Sequence, residues 1–303
     1  MGTSKRIHQM TVPQWEKAFP DDDACMAYLA KHRWPNAVHC PRCGSDKVFE
    51  LQTMAWKWEC MDCGKSTSYR FSVLVGTVFE NTNVGLRTWF RVIHRMLVSK
   101  KGVSAHQIYR EMGFGSYRTA WSMCHRVRAG LANEEFRKLM GIVEVDETYI
   151  GGKDKNRHWH KRTHSTGASN DPLKFAVIGA VERKGNVVAR VLDKVNIATM
   201  QGFVKEVVAT DVSLLSTDAA RGYWRLNETH ENHAMVDHGS GQYVVGAIHT
   251  NTIEGFWSLV KRGVVGTYHK VSRKYLPLYV AEFQFRYNNR TNEDIFGEAI
   301  RGC

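Results

Sequence analysis

The fold is decided by Ile142-Val-Glu-Val-Asp-Glu-Thr-Tyr-Ile150, a stretch in which apolar and polar side chains alternate. Alternation with a period of two is typical of a β-strand that buries one face. Such a strand places Glu144, Asp146 and Thr148 on the same face. Because acids on a strand usually form a solvated surface, their meaning depends on the rest of the chain.

The segments after this strand have the pattern of an α/β domain. Two β-rich segments, a helix that Asn196 would cap and a short strand follow in order; they span Phe175–Val181, Val187–Val195, Ile197–Ala209 and Ser213–Ser216. Two helical segments come last, near Thr252–Arg262 and Ser272–Asn288. Strands that alternate with helices predict a sheet covered by helices.

The composition indicates a polyanionic partner. The chain has 303 residues and a formal net charge of +12, with 42 Lys and Arg against 30 Asp and Glu. Basic side chains that neutralise phosphates release counterions, which favours nucleic-acid binding, although a generically basic surface gives the same charge. We find no signal peptide and no apolar run that could span a membrane, so we expect a cytoplasmic, nucleoid-associated protein.

Four cysteines predict one structural zinc ion. They form two Cys-x-x-Cys-Gly knuckles separated by 16 residues: Cys40, Cys43, Cys60 and Cys63. Each knuckle delivers two thiolates to one side of a tetrahedral zinc ion. The alternative is a set of unrelated buried cysteines, which is how we interpret Cys25, Cys124 and Cys303.

The zinc-binding segment has a composition that suits nucleic acid. Its basic side chains are interleaved with Trp56 and Trp58; they are Arg42, Lys47, Lys57, Lys65 and Arg70. The other interpretation is a ribbon that only supports its neighbours. In either case zinc binding would contribute folding free energy, because so small a module has little core of its own.

A helix-turn-helix is predicted downstream. A helix over Ala24–Trp34, preceded by acidic residues that favour a helix start, comes before the ribbon. After the ribbon, residues 82–140 have helical periodicity. Within them, Val103–Met112, a glycine-containing turn and Ser116–Arg128 fit two short helices. Arg118, Arg126 and Arg128 would reach DNA from the second helix. Two short helices around glycine also occur in proteins that never contact DNA.

Three acids far apart in the chain have a distinctive spacing. Asp146 lies on the first strand, Asp218 follows the short strand, and 35 residues separate Asp218 from Glu254, which begins a helical stretch. Glu254, Trp257 and Lys261 lie at positions i, i+3 and i+7, along one helix face. The helix therefore presents an acid and a base on the same side.

These features together resemble the DDE transposases of bacterial insertion sequences, in particular the ISXO2-like group. The resemblance is carried by the acid spacing, the zinc ribbon and four stretches of sequence: Val145–Gly152, Ser216–Asp218, His249–Gly263 and Glu282–Asn288. It extends from about Phe19 to Asn292. Each motif alone is unspecific, but their combination is specific.

The resemblance implies an RNase H-like catalytic core. Asp146, Asp218 and Glu254 would bind two Mg²⁺ or Mn²⁺ ions, and Lys261 would contact a DNA phosphate near the cut. Three carboxylates suffice as protein ligands, because Mg²⁺ keeps water and phosphate in its remaining positions. Asn251 is the alternative third residue, but a carboxylate binds Mg²⁺ better than an amide does. An exposed lysine without a role is the alternative for Lys261.

A basic segment interrupts the predicted sheet. Lys153–His164 contains five Lys or Arg, three His and Trp159. We interpret it as a DNA-contacting loop, with a solvated loop as the alternative. The DNA contacts predicted here and in the last helix are Lys153, Lys155, Arg157, Lys161, Arg162 and Arg262.

The predicted function is that of a transposase. It would bind the terminal inverted repeats of its insertion sequence, cleave DNA strands with a metal cofactor and transfer them into target DNA, as a homodimer or larger oligomer on DNA. The alternatives are an RNase H-like nuclease or resolvase that does not join strands, and a zinc-ribbon regulator of transcription.

The predicted domain organisation has four parts. Residues 1–36 form a helical segment, residues 37–72 the zinc ribbon, residues 73–140 a helical DNA-binding region and residues 141–303 the RNase H-like α/β domain.

Overall fold

The computed structural model describes residues 6–63, 69–132, 137–152, 158–162, 174–236 and 248–303. The chain forms two compact units. One comprises residues 1–131 together with residues 292–303, and the other comprises residues 132–291.

The second unit is built on a five-stranded sheet. Its strands are β4 (Ile142–Gly151), β5 (Lys174–Glu182), β6 (Val187–Val191), β7 (Leu214–Asp218) and β8 (His233–Val236). Their order in the sheet is β6-β5-β4-β7-β8. β4, β5 and β6 pair antiparallel, whereas β7 lies parallel to β4 and β8 parallel to β7. The strand that the alternating pattern predicted is therefore the centre of the sheet.

Helices cover both faces of this sheet. On one face, α6 (Ile197–Val207) packs through side chains such as Phe203 and Val204 against the strand residues Val143 and Val145. On the other face, α7 (Asn251–Gly263) and α8 (Leu276–Asn288) pack on a different set of apolar residues, which includes Val177 and Val181. The resulting three layers bury two separate apolar cores.

Three antiparallel strands followed by two parallel ones, with helices on both faces, form the predicted RNase H-like α/β domain, and the fold class is confirmed. The boundaries differ in detail. β6 ends at Val191 rather than Val195, and Asp218 is the last residue of β7 rather than the residue after it. β8 was not predicted, because His233-Ala-Met-Val236 is too short to show a period.

The first unit contains the ribbon and the helices around it. Its elements are α1 (Val12–Ala18), α2 (Asp22–Arg33), β1 (Val48–Glu50), β2 (Lys57–Cys60), β3 (Tyr69–Ser72), α3 (Leu86–Val98), α4 (Ala105–Met112), α5 (Tyr117–Gly130) and α9 (Ile295–Gly302). The three strands form an antiparallel sheet in the order β1-β2-β3. As predicted, α2 starts at an acidic sequence, and the Asp21 carboxylate caps it by accepting a hydrogen bond from the Ala24 amide at 2.9 Å.

α9 does not lie in the unit that the sequence predicted for it. We expected the RNase H-like domain to run to residue 303, but residues 292–303 belong to the first unit. Phe296 is buried there, with its ring centroid 5.5 Å from that of Phe90 and 5.8 Å from that of Phe19. The last helix therefore completes an aromatic core that residues near the beginning of the chain started.

Among the described residues, no helix has both the length and the apolar character that crossing a membrane requires.

Gly179 allows α7 to approach the sheet closely. It pairs with Asp146 across β4 and β5, and a Cβ atom built on it lies 2.8 Å from ring carbons of Trp257. We expect Gly179→Ala to lower the free energy of unfolding by about 1–3 kcal/mol, because the rigid indole has to move. Urea denaturation gives this value from the midpoint and slope.

Gly202→Ala is the matched control. Gly202 lies in α6, and a Cβ atom added to it would have no heavy atom within 4 Å. This substitution should stabilise the protein by up to about 1 kcal/mol through helix propensity. Equal effects of the two substitutions would contradict the close packing of α7 on β5.

Candidate active site and metal centres

The four knuckle cysteines meet at one point. The sulfur atoms of Cys40 and Cys63 are 3.9 Å apart, and those of Cys43 and Cys60 are 3.7 Å apart. A tetrahedron with Zn–S bonds of about 2.3 Å has an edge of about 3.8 Å, so these spacings fit one zinc ion. All four ligand atoms lie within 4.8 Å of one another, which is the arrangement predicted from the sequence.

The remaining cysteines lie elsewhere and are buried. Burial raises the pKa of the Cys25 and Cys303 thiols to about 12, so both stay protonated at neutral pH. Cys124 is fully buried in α5. Their interpretation as ordinary core residues agrees with these positions.

The tryptophans of the ribbon have structural roles. Trp58 is buried, and its ring lies 5.1 Å from that of Trp34 and 6.1 Å from that of Phe71. The Trp56 indole N–H donates to the Asp23 carboxylate at 3.0 Å. The expectation that both rings face nucleic acid is therefore wrong for Trp58, which belongs to a small core shared between the ribbon and the end of α2.

The predicted helix-turn-helix is present as α4 and α5. The Ser104 hydroxyl accepts from the Gln107 amide at 3.1 Å and caps α4, and Ser116 caps α5 in the same way. Gly113 ends α4 with a φ of +65°, a left-handed conformation that favours glycine. The turn therefore has the local chemistry that the sequence predicted.

Only one of the three arginines predicted to contact DNA from α5 is well exposed. Arg118 lies on the surface at the start of the helix. Arg128 is 1% exposed, so its prediction as a DNA contact is wrong. Arg126 is corrected as well, because its guanidinium donates to the Glu80 carbonyl at 2.8 Å and lies over the Trp89 ring. The periodicity of the sequence predicted α5, but it did not show which of its arginines lie on the buried face of the helix and which on the exposed face.

The parallel pairing of β4 and β7 brings two of the predicted acids together. Val145 is the register partner of Thr217, so the next residues, Asp146 and Asp218, are neighbours at the end of β7. Glu147 joins them, and each of the three residues offers a carboxylate oxygen within 4.8 Å of the other two. Among the described residues, this acidic cluster and the four cysteines are the groups of three or more His, Cys, Asp or Glu side chains whose ligand atoms all lie within 4.8 Å of one another.

Glu147 was not predicted as part of the site. Alternation along β4 places it on the face opposite Asp146, where the buried Tyr223 hydroxyl donates to its carboxylate at 2.7 Å. It nevertheless offers a carboxylate oxygen to the group formed with the two aspartates. The sequence did show that Asp146 and Glu147 are adjacent acids. However, side chains alternate along a strand, which predicts that these two point to opposite faces rather than to one site.

Glu254 lies in the first turn of α7 and is exposed. Its carboxylate accepts a hydrogen bond from the Thr250 hydroxyl at 2.8 Å. It does not belong to the 4.8 Å cluster, yet its charge helps to raise the pKa of Asp146. Asn251, the alternative third residue, is exposed at the start of the same helix.

The cluster carries more negative charge than its surroundings stabilise. Burial, the charges of Glu147 and Asp218 and, to a smaller extent, that of Glu254 raise the pKa of Asp146 to about 7. Burial also raises the pKa of Glu147, against the hydrogen bond from Tyr223. Carboxylates with raised pKa values that converge at the edge of a sheet have the donor chemistry that Mg²⁺ and Mn²⁺ prefer.

The predicted basic contacts near the cluster are only partly described. Lys261 and Arg262 are exposed near the end of α7, where the Arg262 guanidinium also donates to the Ser258 carbonyl at 3.1 Å. Arg162 is half-buried after a short 3-10 turn. Lys153, Lys155, Arg157 and the Lys161 side chain lie outside the described residues.

Comparisons with known proteins agree with this geometry. Residues 138–288 match the family model of the ISXO2-like transposase domain, and residues 20–66 match that of the transposase zinc-ribbon domain. The chain is 29% identical over 284 residues to an uncharacterized protein in transposable element ISH50 of Halobacterium salinarum, covering 89% of this chain and 92% of the relative.

Two solved structures are similar at a low level. A chain in the simian T-cell lymphotropic virus intasome with PP2A regulatory subunit B56 gamma has a TM-score of 0.29 and 12% identity over 60% of this chain and 68% of that chain. A chain in the Mos1 strand transfer complex has a TM-score of 0.30 and 12% identity over 70% of this chain and 73% of that chain.

The family matches define the class of protein. The second unit contains a DDE transposase domain. Within that class it is of the ISXO2-like type, and the zinc ribbon is of the kind found in transposases. The resemblance predicted from the sequence is therefore confirmed.

Removal of zinc should unfold the ribbon. A Cys60→Ser, Cys63→Ser double variant should lose the single zinc ion per chain after dialysis against a chelator, because it keeps only two of four thiolates. Metal analysis measures the zinc content, and the change in tryptophan fluorescence, to which Trp58 contributes, follows the loss of ribbon structure. Cys124→Ala is the control and should retain zinc. Stoichiometric zinc in the double variant would contradict the assignment.

Divalent metal binding at the acidic cluster should depend on pH. A metal ion has to displace the proton from Asp146, whose pKa is about 7. The apparent Mn²⁺ affinity should therefore be constant above about pH 8 and fall about tenfold at about pH 6. Calorimetric titration measures the affinity.

Glu147→Gln serves as the control for this effect. Removing that charge should shift the midpoint of the pH profile to lower values, because repulsion by Glu147 contributes to the raised pKa of Asp146. An affinity that does not change between about pH 6 and about pH 8 would contradict the shifted pKa.

Proposed function

We propose that this protein binds the ends of its insertion sequence and catalyses metal-dependent DNA strand cleavage, followed by strand transfer into target DNA. The proposal rests chiefly on the cluster of Asp146 and Asp218 beside the first turn of α7, which carries Glu254. The matches to transposase domains support the proposal, as does the relative that is named as a protein in a transposable element.

Asp146, Asp218 and Glu254 would hold Mg²⁺ or Mn²⁺. Two such ions, when bound, would neutralise phosphate charge and make a water or 3′-hydroxyl a stronger nucleophile. The protein contributes by bringing Asp146 and Asp218 together at the end of β7 and by holding the first turn of α7, which carries Glu254, against β4. Burial on β4 and repulsion by the neighbouring acids raise the pKa of Asp146, which means that its carboxylate binds a proton tightly. The same features would favour binding of a metal ion in place of the proton.

Glu254 is the better candidate for the third ligand. Its negative charge makes a small contribution to the raised pKa of Asp146. The hydrogen bond from Thr250 limits the orientations of its carboxylate. Asn251 lies three residues earlier in α7, and its neutral amide attracts a divalent cation less strongly.

DNA would contact basic side chains of both units. In the catalytic unit these are Lys261 and Arg262, which lie on the same helix as Glu254, and the segment with Lys153, Lys155, Arg157, Lys161 and Arg162. In the first unit, Arg118 at the start of α5 would contact the element ends, together with the zinc ribbon. Phosphate contacts of this kind position the DNA but do not read its sequence.

We also propose a homodimer or larger oligomer on DNA, because two element ends have to be joined to one target. A location in the cytoplasm, in association with the nucleoid, would follow from this substrate.

The direct test uses duplexes that carry the element boundary. Inverted repeats identified by sequencing the DNA on both sides of the gene would define the ends, and a labelled duplex is then incubated with the purified protein and Mg²⁺. We expect a nick at the boundary and, with target DNA present, joined products on a denaturing gel. Nicks without joined products would favour a nuclease or resolvase, and binding without nicks would favour a regulator.

Substitutions of the acids test the site itself. Asp218→Asn and Glu254→Gln should each lower the cleavage rate about 10²-fold or more, because each loses several kcal/mol of metal-mediated charge stabilisation. Asp211→Asn is the matched control, since Asp211 is exposed in the loop before β7. Activity that survives Glu254→Gln but not Asn251→Ala would assign the third position to Asn251.

A further inference from the structure

Glu144 is a buried charge two residues before Asp146. Its side chain is completely buried on β4. One carboxylate oxygen accepts from the Arg183 guanidinium at 2.6 Å and from the Thr252 hydroxyl at 2.8 Å. The other oxygen accepts from the backbone amides of Thr252 at 2.7 Å and Ile253 at 3.1 Å. Both oxygens are therefore saturated by donors of the protein.

Three of these donors, the Thr252 hydroxyl and the amides of Thr252 and Ile253, belong to the first turn of α7. A helix leaves its first amides without partners inside the helix, and a side chain next to the helix usually accepts from them. In α7 the side chain of the N-cap residue Thr250 accepts no such bond, and its hydroxyl donates to the Glu254 carboxylate. Glu144 supplies the cap from the neighbouring strand, and its negative charge also suits the positive end of the helix dipole.

Arg183 and His249 complete the arrangement. The Arg183 guanidinium donates to Glu144 and also to the His249 carbonyl at 3.2 Å, so it links the strand to the segment that leads into α7. The His249 ring lies 3.3 Å from the Glu144 carboxylate. A buried carboxylate is costly unless it is paired and hydrogen-bonded, and Glu144 satisfies both conditions.

The position of Glu254 depends on this anchor. Glu254 lies two residues after Thr252, and its amide donates to the Thr250 carbonyl at 3.0 Å. Glu144 is on the same strand as Asp146, so one strand fixes both Asp146 and the turn that carries Glu254, the proposed third ligand. An error of about 1 Å in such a placement can cost about 10²-fold in rate.

We propose that Glu144 is a positioning residue of the active site, which anchors the first turn of α7 to β4 and so sets the distance between Glu254 and Asp146. Its carboxylate does not contact metal or DNA, because its oxygens are occupied and buried. The inference rests on the proposed function for its catalytic consequence, but the anchoring of the helix can be tested without catalysis.

The main variant is Glu144→Gln, which keeps the shape of the side chain and removes its charge and one acceptor. The matched control is Glu282→Gln, because Glu282 is also completely buried and is bonded to Tyr268 in the same unit. Loss of a buried charge partner destabilises both variants. Only the first should affect α7.

Hydrogen exchange measures the anchoring directly. We expect the amides of Thr252 and Ile253 to exchange about tenfold faster or more in Glu144→Gln, because a lost hydrogen bond of about 1.4 kcal/mol corresponds to that factor. Glu282→Gln should leave these amides at the wild-type rate once global unfolding is subtracted. Equal exchange of these amides in both variants would overturn the proposal.

Cleavage then tests the consequence for the site. At a temperature where all variants are folded, Glu144→Gln should need about tenfold more Mn²⁺ for half-maximal cleavage and should remain slower at saturation. A variant that is only less stable would show the wild-type metal dependence, which would overturn the positioning role.

A milder variant covers the case in which Glu144→Gln does not fold. Thr252→Val removes the hydroxyl that donates to Glu144 and keeps the shape of the side chain. Thr252→Val should change hydrogen exchange and metal dependence in the same direction as Glu144→Gln, but by a smaller amount. Wild-type behaviour of this variant would contradict the proposal. If the wild-type protein does not cleave DNA, the proposed function fails while the exchange experiment still tests the anchor.

Discussion

Electrostatic repulsion among carboxylates is the constraint on which the catalytic unit depends. Acids that converge on one point repel each other, and each one needs a donor or a cation nearby. Glu144 accepts hydrogen bonds from Arg183 and from two amides of α7. Glu147 accepts one from the Tyr223 hydroxyl, and Asp218 accepts one from the Ala220 amide at 3.1 Å. The pKa of Asp146 is nevertheless raised to about 7 by burial and by its acidic neighbours, so the central strand carries a carboxylate that favours binding of a positive charge.

The positive charge of the chain is less available than its total suggests. Several arginines of the first unit bond to its own backbone: Arg33 donates to the Val73 carbonyl at 2.6 Å, and Arg87 donates to the Phe19 carbonyl at 2.6 Å. Arg128 is buried in α5. A formal charge of +12 therefore counts structural arginines as well as exposed ones, and only exposure distinguishes the side chains that are available to a partner.

The local features were predictable from the sequence, and the long-range ones were not. Alternation identified β4, and knuckle spacing identified the zinc site, because each pattern arises within a few residues. The spacing of the acids suggested that Asp146 and Asp218 meet, but only the parallel pairing of β4 with β7 explains how. Glu147 and Glu144 could not be assigned, because their partners, Tyr223 and the start of α7, lie far away in the chain.

The return of α9 to the first unit affects the order in which the chain can fold during synthesis. Phe19 and Phe90 leave the ribosome before the second unit is made, but Phe296, which packs on both of them, follows that unit in the chain. The sheet of the second unit lies wholly between these points in the chain. This sheet can therefore close before the aromatic core of the first unit is complete, and that core stays partly open to chaperones and proteases until Phe296 has been synthesised.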